Sequence, residues 1–271
     1  LQTNTPTKMT IETKYKNKKL SSYSGFLFLA TTVSFAFTWV DSFFIGAYNG
    51  AEAVGIYNVA LALSVILTFP GELFLQLFFP LITKEYASGN FSMIKQLSKQ
   101  VGKWIFIVNL PLLIFMLIYP GAIINILFGS EYLVAEKTLR ILSFGTFFSS
   151  LMMISPQLIQ MSGKSKLVSL NTLAASIVSI ILNYLLVPRF GIEGAAIATA
   201  FSLVFYNLLF FLQGWKYLSI LPLRRKMLKI FFVALIPILV VIALRSFIAE
   251  ASIFHLIISG VIFLILYSLL L

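Results

Sequence analysis

Cysteine is absent from the 271-residue chain, which excludes disulfides, thiolate nucleophiles and zinc knuckles. Histidine occurs once, as His255, and its position near the end of an apolar run suits an interfacial role. No His/Asp/Glu cluster has metal-ligand spacing, no nucleophile sits beside a base, and no glycine-rich phosphate loop is present. No catalytic residue, no metal and no cofactor is expected. Charge is scarce as well. Only 11% of residues are charged, against roughly 25% in soluble domains.

Apolar residues fill the space these absences leave. They make up 59% of the chain, about 160 residues, enough for about eight membrane helices at roughly 20 apolar residues each. The mean hydropathy is +0.98. A soluble domain cannot bury that much apolar surface and still cover itself with polar groups. The composition therefore excludes a soluble enzyme, a disordered chain and a DNA-binding domain, although a net charge of +11 in a soluble chain would suggest nucleic acid. No nucleic-acid partner is expected.

Eight apolar segments can be drawn, at about 23–45, 54–83, 104–127, 138–161, 167–187, 194–213, 230–244 and 253–271. Stretches such as IFIVNLPLLIFMLIY lack the alternation of a barrel strand. Helices are the remaining structure that satisfies its own backbone in lipid. The expected fold class is all-α, a polytopic membrane protein of about eight transmembrane helices. Residues 1–20 have no apolar core of the signal-peptide kind. The chain starts at Leu1 and stops within an apolar run at Leu271, so it reads as part of a longer one.

The cations set an orientation. Sixteen of the twenty Lys and Arg lie in residues 1–20, 84–103, 161–166 and 214–229, and four lie in the alternate connections. That bias places the N-terminal end in the cytoplasm, consistent with a multi-pass protein of the plasma (inner) membrane. It also turns the +11 from a nucleic-acid signal into a topology signal. Two of the basic stretches, FSMIKQLSKQVGK and KYLSILPLRRKMLK, mix apolar and basic residues as headgroup-layer helices do. Ordinary cytoplasmic elbows would read the same way, and membrane lipids are partners in either case.

Ionisable groups inside a membrane are costly and tend to mark function. Asp41 falls about 8 Å inside the outer end of segment one, and Glu72 about 27 Å from the outer end of segment two, at about 1.5 Å per residue. So separated, they cannot share a proton as a close carboxyl pair does. Each is an ion-coupling candidate, and each has a structural alternative: Asp41 as a solvated or capping group, Glu72 as a carboxylate bonded to a neighbouring helix. Asn58, Phe69, Glu72, Gln76 and Thr83 fall near one face of segment two, which reads as the lining of a water-filled cavity. Pro70-Gly71 is expected to open the helix there. Segment five carries Asn171, Ala175, Ser179 and Asn183 at four-residue spacing, and segment six Gly194, Ala198 and Ser202. Such stripes face protein or water, and close packing of five on six accounts for them as well as a cavity does. Segment four adds Gln157 and Arg140, the latter suited to a phosphate or to snorkelling toward headgroups.

Three stretches, WVDSFFIG…GAEAVGIYNVA, LFGSEYLVAEKTLRILSF and LNYLLVPRFGIEGAAIAT, occur in an order that resembles the polysaccharide flippase family of the multidrug/oligosaccharidyl-lipid/polysaccharide exporter superfamily. In the last stretch the matching residues are Asn183, Pro188, Gly191, Ile192, Gly194, Ala195, Ala196, Ala198 and Thr199. The resemblance implies two six-helix lobes, often with two extra helices, that flip a lipid-linked oligosaccharide by alternating access. It implies a basic linker at 1–20, a C-terminal six-helix lobe at 21–214, and a basic loop with two extra helices at 215–271. The implied partners are a polyprenyl (pyro)phosphate-linked oligosaccharide and a missing N-terminal lobe of the same chain. Cavity candidates under this reading are Asn58, Glu72, Gln76, Arg140, Gln157, Asn171 and Asn183. The chain departs from a strongly cationic lumen, since no Lys or Arg lies deep in a segment. Alternatives are a drug/cation antiporter of the same superfamily, a membrane glycosyltransferase or polymerase, and a fragment acting alone as a scaffold.

Overall fold

The computed structural model describes residues 39–218, 226–247 and 253–270. The basic tail 1–20, segment one up to residue 38, and Arg224 and Arg225 lie outside the described residues, as does the side chain of His255. Within them the regular structure is entirely helical, as the composition requires. The elements are α1 (residues 39–65), a tight 3-10 turn at Ile66–Thr68, α2 (Phe69–Ala87), α3 (Phe91–Ile118) and α4 (Pro120–Phe128). A second 3-10 turn (Ser130–Ala135) leads to α5 (Glu136–Leu151), α6 (Ile154–Met161), α7 (Ser165–Leu218), α8 (Lys226–Phe247) and α9 (Ile253–Leu270).

Among the described residues four apolar helical runs are long enough to cross a membrane, and two of them are far too long to do so once. Trp39–Ala87 has 49 residues and Lys166–Tyr217 has 52, about 75 Å if straight against a hydrocarbon core of about 30 Å. Each folds back at one glycine. Gly50 has φ 86° and Gly191 φ 54°, the left-handed region that side chains with a Cβ avoid. The reversals are visible in the contacts. Tyr57 bonds Asp41, 16 residues away, which a straight helix would hold about 24 Å off. Gln213 bonds Asn171, 42 residues away. The two corners are neighbours, with the Asn49 amide 3.4 Å from where a Cβ on Gly191 would lie. Thus the expected connections at 48–53 and 188–193 contract to single-residue corners inside otherwise continuous helix.

Other boundaries move for local reasons. Residues 91–103, read as a headgroup helix or an elbow, are the first turns of α3, started by Asn90 accepting from Met93 N at 3.3 Å. α3 has 28 residues, about 42 Å, so it exceeds the hydrocarbon thickness. It ends at Tyr119, where Pro120 begins α4, because the residue before a proline avoids helical backbone. Segment four is broken at Met152–Met153 into α5 and α6. In segment two the expected break sits at Ile66–Thr68. Pro70 has no N–H for the Ile66 carbonyl, and the Phe69 N–H takes it through a shorter turn.

Small residues let helices approach, as packing in lipid demands. α5 occupies the middle, against α7, α3, α4 and the Ile66–Thr68 turn. A Cβ on Gly145 of α5 would stand 2.4 Å from Ala200 Cβ in α7, so the two backbones nearly touch. Gly194 likewise passes Leu186 O closely, which holds the two arms of α7 together next to their corner. One core joins the corners to α4 and α5 through Ile45, Tyr57, Ile124, Leu139 and Val187. The other joins α2, α3, α5, α6, α8 and α9 through Ile82, Ile105, Phe147, Ile154, Ala234 and Phe263.

Candidate functional site: an uncovered polar face and a set of amide clasps

The polar residues within the apolar helices fall into two groups. The first is clasped between helices. Asp41 is 4% exposed. Its Oδ2 accepts from the Tyr57 hydroxyl and, at 3.2 Å, from the Thr199 hydroxyl, and its Oδ1 accepts from Ser42 N at 3.1 Å. Tyr57 and Thr199 are themselves 3.1 Å apart. Three segments of chain therefore meet on one carboxylate, and every side-chain donor to it is a neutral hydroxyl. Neither Asp41 nor Glu72 forms an ion pair among the described residues.

Asn171 and Gln213 exchange two amide bonds, each 2.8 Å, across the two arms of α7. Asn183 is wholly buried and donates within its own helix, to Ser179 O at 3.0 Å and Ser179 Oγ at 3.3 Å. Two of the expected cavity residues are thus in the packing of segment five, the reading that the small-residue stripe also allowed. Asn109 of α3 donates to Leu67 O and to Ser150 Oγ, both at 2.8 Å. It serves the carbonyl beside the proline break and binds α5 at the same time. Asn207 ties α7 to α5 through Ser149 at 2.7 Å.

The second group is left open. Asn58, Glu72, Gln76 and Thr83 are all exposed, with Phe69 54% exposed among them. They form the face that helical spacing predicts. Glu72 stands in the first turn of α2, where the break frees backbone N–H groups that favour an anion. Gln76 and Gln157 come together: with Leu75, Phe79 and Pro80 they line a recess of about 390 Å³ between α2 and α6. Polar groups on a membrane helix face protein or water, not lipid, so this surface is built to be covered or wetted. Amides, a carboxylate and a phenyl ring suit sugar hydroxyls and the apolar face of a pyranose.

Arg140 belongs to neither group. It lies in a lateral groove of about 510 Å³ with Leu117 of α3 and Ile197, Ala200 and Phe201 of α7. Asn109, Asn207, Gln213 and Tyr57 escaped the sequence reading. A lone amide inside an apolar run, as in IFIVNLPLL, is the signal that marks the first of them. Tyr57 and Asp41 stand at similar distances from Gly50, and that relation carries meaning only once Gly50 is known to be a corner.

Comparison with known proteins agrees with this architecture. The chain is 29% identical to a putative O-antigen transporter of Shigella flexneri over 71% of its own length and 46% of the relative's. It is 25% identical to the probable low-salt glycan biosynthesis flippase Agl15 of Haloferax volcanii over 69% of its length and 40% of the relative's. Its fold superposes on the lipid II flippase MurJ in an inward closed conformation with a TM-score of 0.72 at 19% identity, covering 90% of this chain and 51% of that one. The chain spans half or less of the length of the curated relatives it matches. Residues 27–185 match the MatE family, and the chain belongs to that family of multi-pass membrane proteins.

Proposed function

We propose that the chain is the C-terminal lobe (21–214) and two following helices (215–271) of a two-lobed flippase that moves a polyprenyl (pyro)phosphate-linked oligosaccharide across the plasma membrane for cell-surface polysaccharide. An N-terminal lobe of the same chain covers the polar face, and the two lobes rock about it in alternating access. The observation that carries the reading is the division of polar residues. Asp41, Asn109, Asn171, Asn183 and Asn207 are consumed in packing, whereas Asn58, Glu72, Gln76 and Gln157 remain available on α1, α2 and α6. The glycan crosses against the amides while the apolar tail stays in the bilayer. The Lys/Arg bias puts the N-terminal end of this lobe in the cytoplasm. The work is translocation, without bond making or breaking.

A second reading, a drug/cation antiporter, is favoured by one observation: the open face carries the carboxylate of Glu72 and no Lys or Arg. Proteoliposomes of the full-length protein with a fluorescent lipid-linked oligosaccharide separate the two. Under the flippase reading Gln76→Ala with Gln157→Ala slows glycan flipping by about five- to 150-fold, the loss expected from two polar contacts of roughly 0.5–1.5 kcal/mol each. Unchanged flipping in that variant, with loss of cation-drug extrusion in Glu72→Gln, overturns it in favour of the antiporter.

A further inference from the structure

Arg140 needs a different explanation from the transport face, because its groove shares no residue with the Gln76–Gln157 recess. The groove is the upper part of a longer trough. At Phe144 it meets a second hollow of about 620 Å³, floored by Phe148 and Leu151 of α5 and walled by Phe106 and Leu110 of α3 and Phe231 of α8. Phe144 is 55% exposed and packs against Phe148 with ring centroids 4.8 Å apart and the planes tilted by 59°. The walls of both parts are apolar apart from the guanidinium.

Arg140 is held at the mouth. Its Nε donates to Leu117 O at 3.2 Å, in the last turn of α3, and its Nη2 lies 3.5 Å from Glu136 Oε2. The Nη1 edge makes no hydrogen bond among the described residues. Glu136 only partly neutralises it. The Glu136 carboxylate also lies against Gly121, within 2.0 Å of where a Cβ would be, at the first turn of α4, whose free N–H groups draw the same negative charge. The paired N–H groups of a guanidinium edge match two oxygens of a carboxylate or a phosphate. An apolar trough below it stays dry and selects hydrocarbon. From Arg140 to Leu151 the trough descends 11 residues of helix, about 16 Å, close to the roughly 15 Å half-thickness of a bilayer core.

We propose that this trough is a binding site for a membrane glycerophospholipid, with its phosphate on the open edge of Arg140 and one acyl chain lying over Phe144 and Phe148 toward Phe231. The site is separate from the cargo path and stands whether or not the flippase reading does. The lipid fills the outer groove between helices that already pack on one another behind it.

The test is photolabelling of the purified full-length protein with phosphatidylglycerol carrying a diazirine in its acyl chain. Labelling of the α5 peptide is expected to fall about tenfold in Arg140→Gln, the loss of one charge-assisted contact, and to be weak with a diacylglycerol bearing the same chain. Equal labelling of wild type and Arg140→Gln, or of phospholipid and diacylglycerol, overturns the proposal. Competition on the unmodified protein removes any dependence on how the variant folds. Unlabelled phosphatidylglycerol is expected to displace the probe and inorganic phosphate is not. Displacement by a polyprenyl phosphate but not by phosphatidylglycerol overturns the proposal and assigns the trough to the cargo tail.

Discussion

Asn109 shows how one amide can carry a helix break in lipid. The Ile66–Thr68 turn exists because Pro70 has no N–H, and the carbonyl of Leu67 then takes the Asn109 side chain at 2.8 Å. Asn109→Leu fills the space but supplies no donor. It is expected to destabilise the protein by about 0.6–2 kcal/mol, the range for an interhelical hydrogen bond in a membrane, read by unfolding in mixed micelles. Asp41 poses a sharper question, because its carboxylate meets hydroxyls only. Asp41→Asn keeps a polar group for Tyr57 and Thr199 and removes the charge. If Asp41 couples transport to an ion, this variant keeps its melting temperature and loses the response of flipping to an imposed ion gradient in proteoliposomes. An unchanged gradient response assigns Asp41 to packing alone.

The helices show which sequence signals transfer to three dimensions. The stripe Asn171, Ala175, Ser179, Asn183 announced a protein-facing side, and it is one, since Ala175, Ser179 and Asn183 are buried. The partner of Asn171 was not legible, because Gln213 becomes its neighbour only when α7 folds back at Gly191. Periodicity reports a face within a helix and is silent on what lies across from it. A double-mutant cycle of Asn171→Ala and Gln213→Ala is expected to give a coupling of about 0.5–2 kcal/mol, measured by the same unfolding assay; additive effects would mean that the arms are not joined there. The open face of α2 was legible in full, since exposure of a polar stripe needs no partner. Arg140 was legible as a cation at a helix end, but its groove is made by α3, α5 and α7 together, and no single stretch of sequence contains it.

At the scale of the molecule, the all-α class and its apolar runs follow directly from composition, and the polar stretches 48–53 and 188–193 mark the two reversals. What the sequence does not reveal is that each connection contracts to a single glycine inside continuous helix. Orientation rests on the cations, and the absence of cysteine from these 271 residues lets thiols introduced here report it. A single cysteine at Lys99 is expected to be protected from an impermeant maleimide in intact cells, and one at Glu131 to be labelled. The reverse pattern would invert the assignment of sides.

The bond between Asp41 and Thr199 spans 158 residues, and that interval is also a time. At about 5–20 residues per second, a ribosome needs roughly 8–30 s to reach the second hydroxyl after making the carboxylate. During that interval the first hairpin must wait in the membrane with Tyr57 as its side-chain partner. Biogenesis of this protein therefore has a vulnerable stage, in which the nascent hairpin is exposed to quality-control proteases until the segment carrying Thr199 arrives. Chains truncated before Thr199 should be degraded faster than chains truncated after Leu218, a difference that pulse–chase labelling resolves.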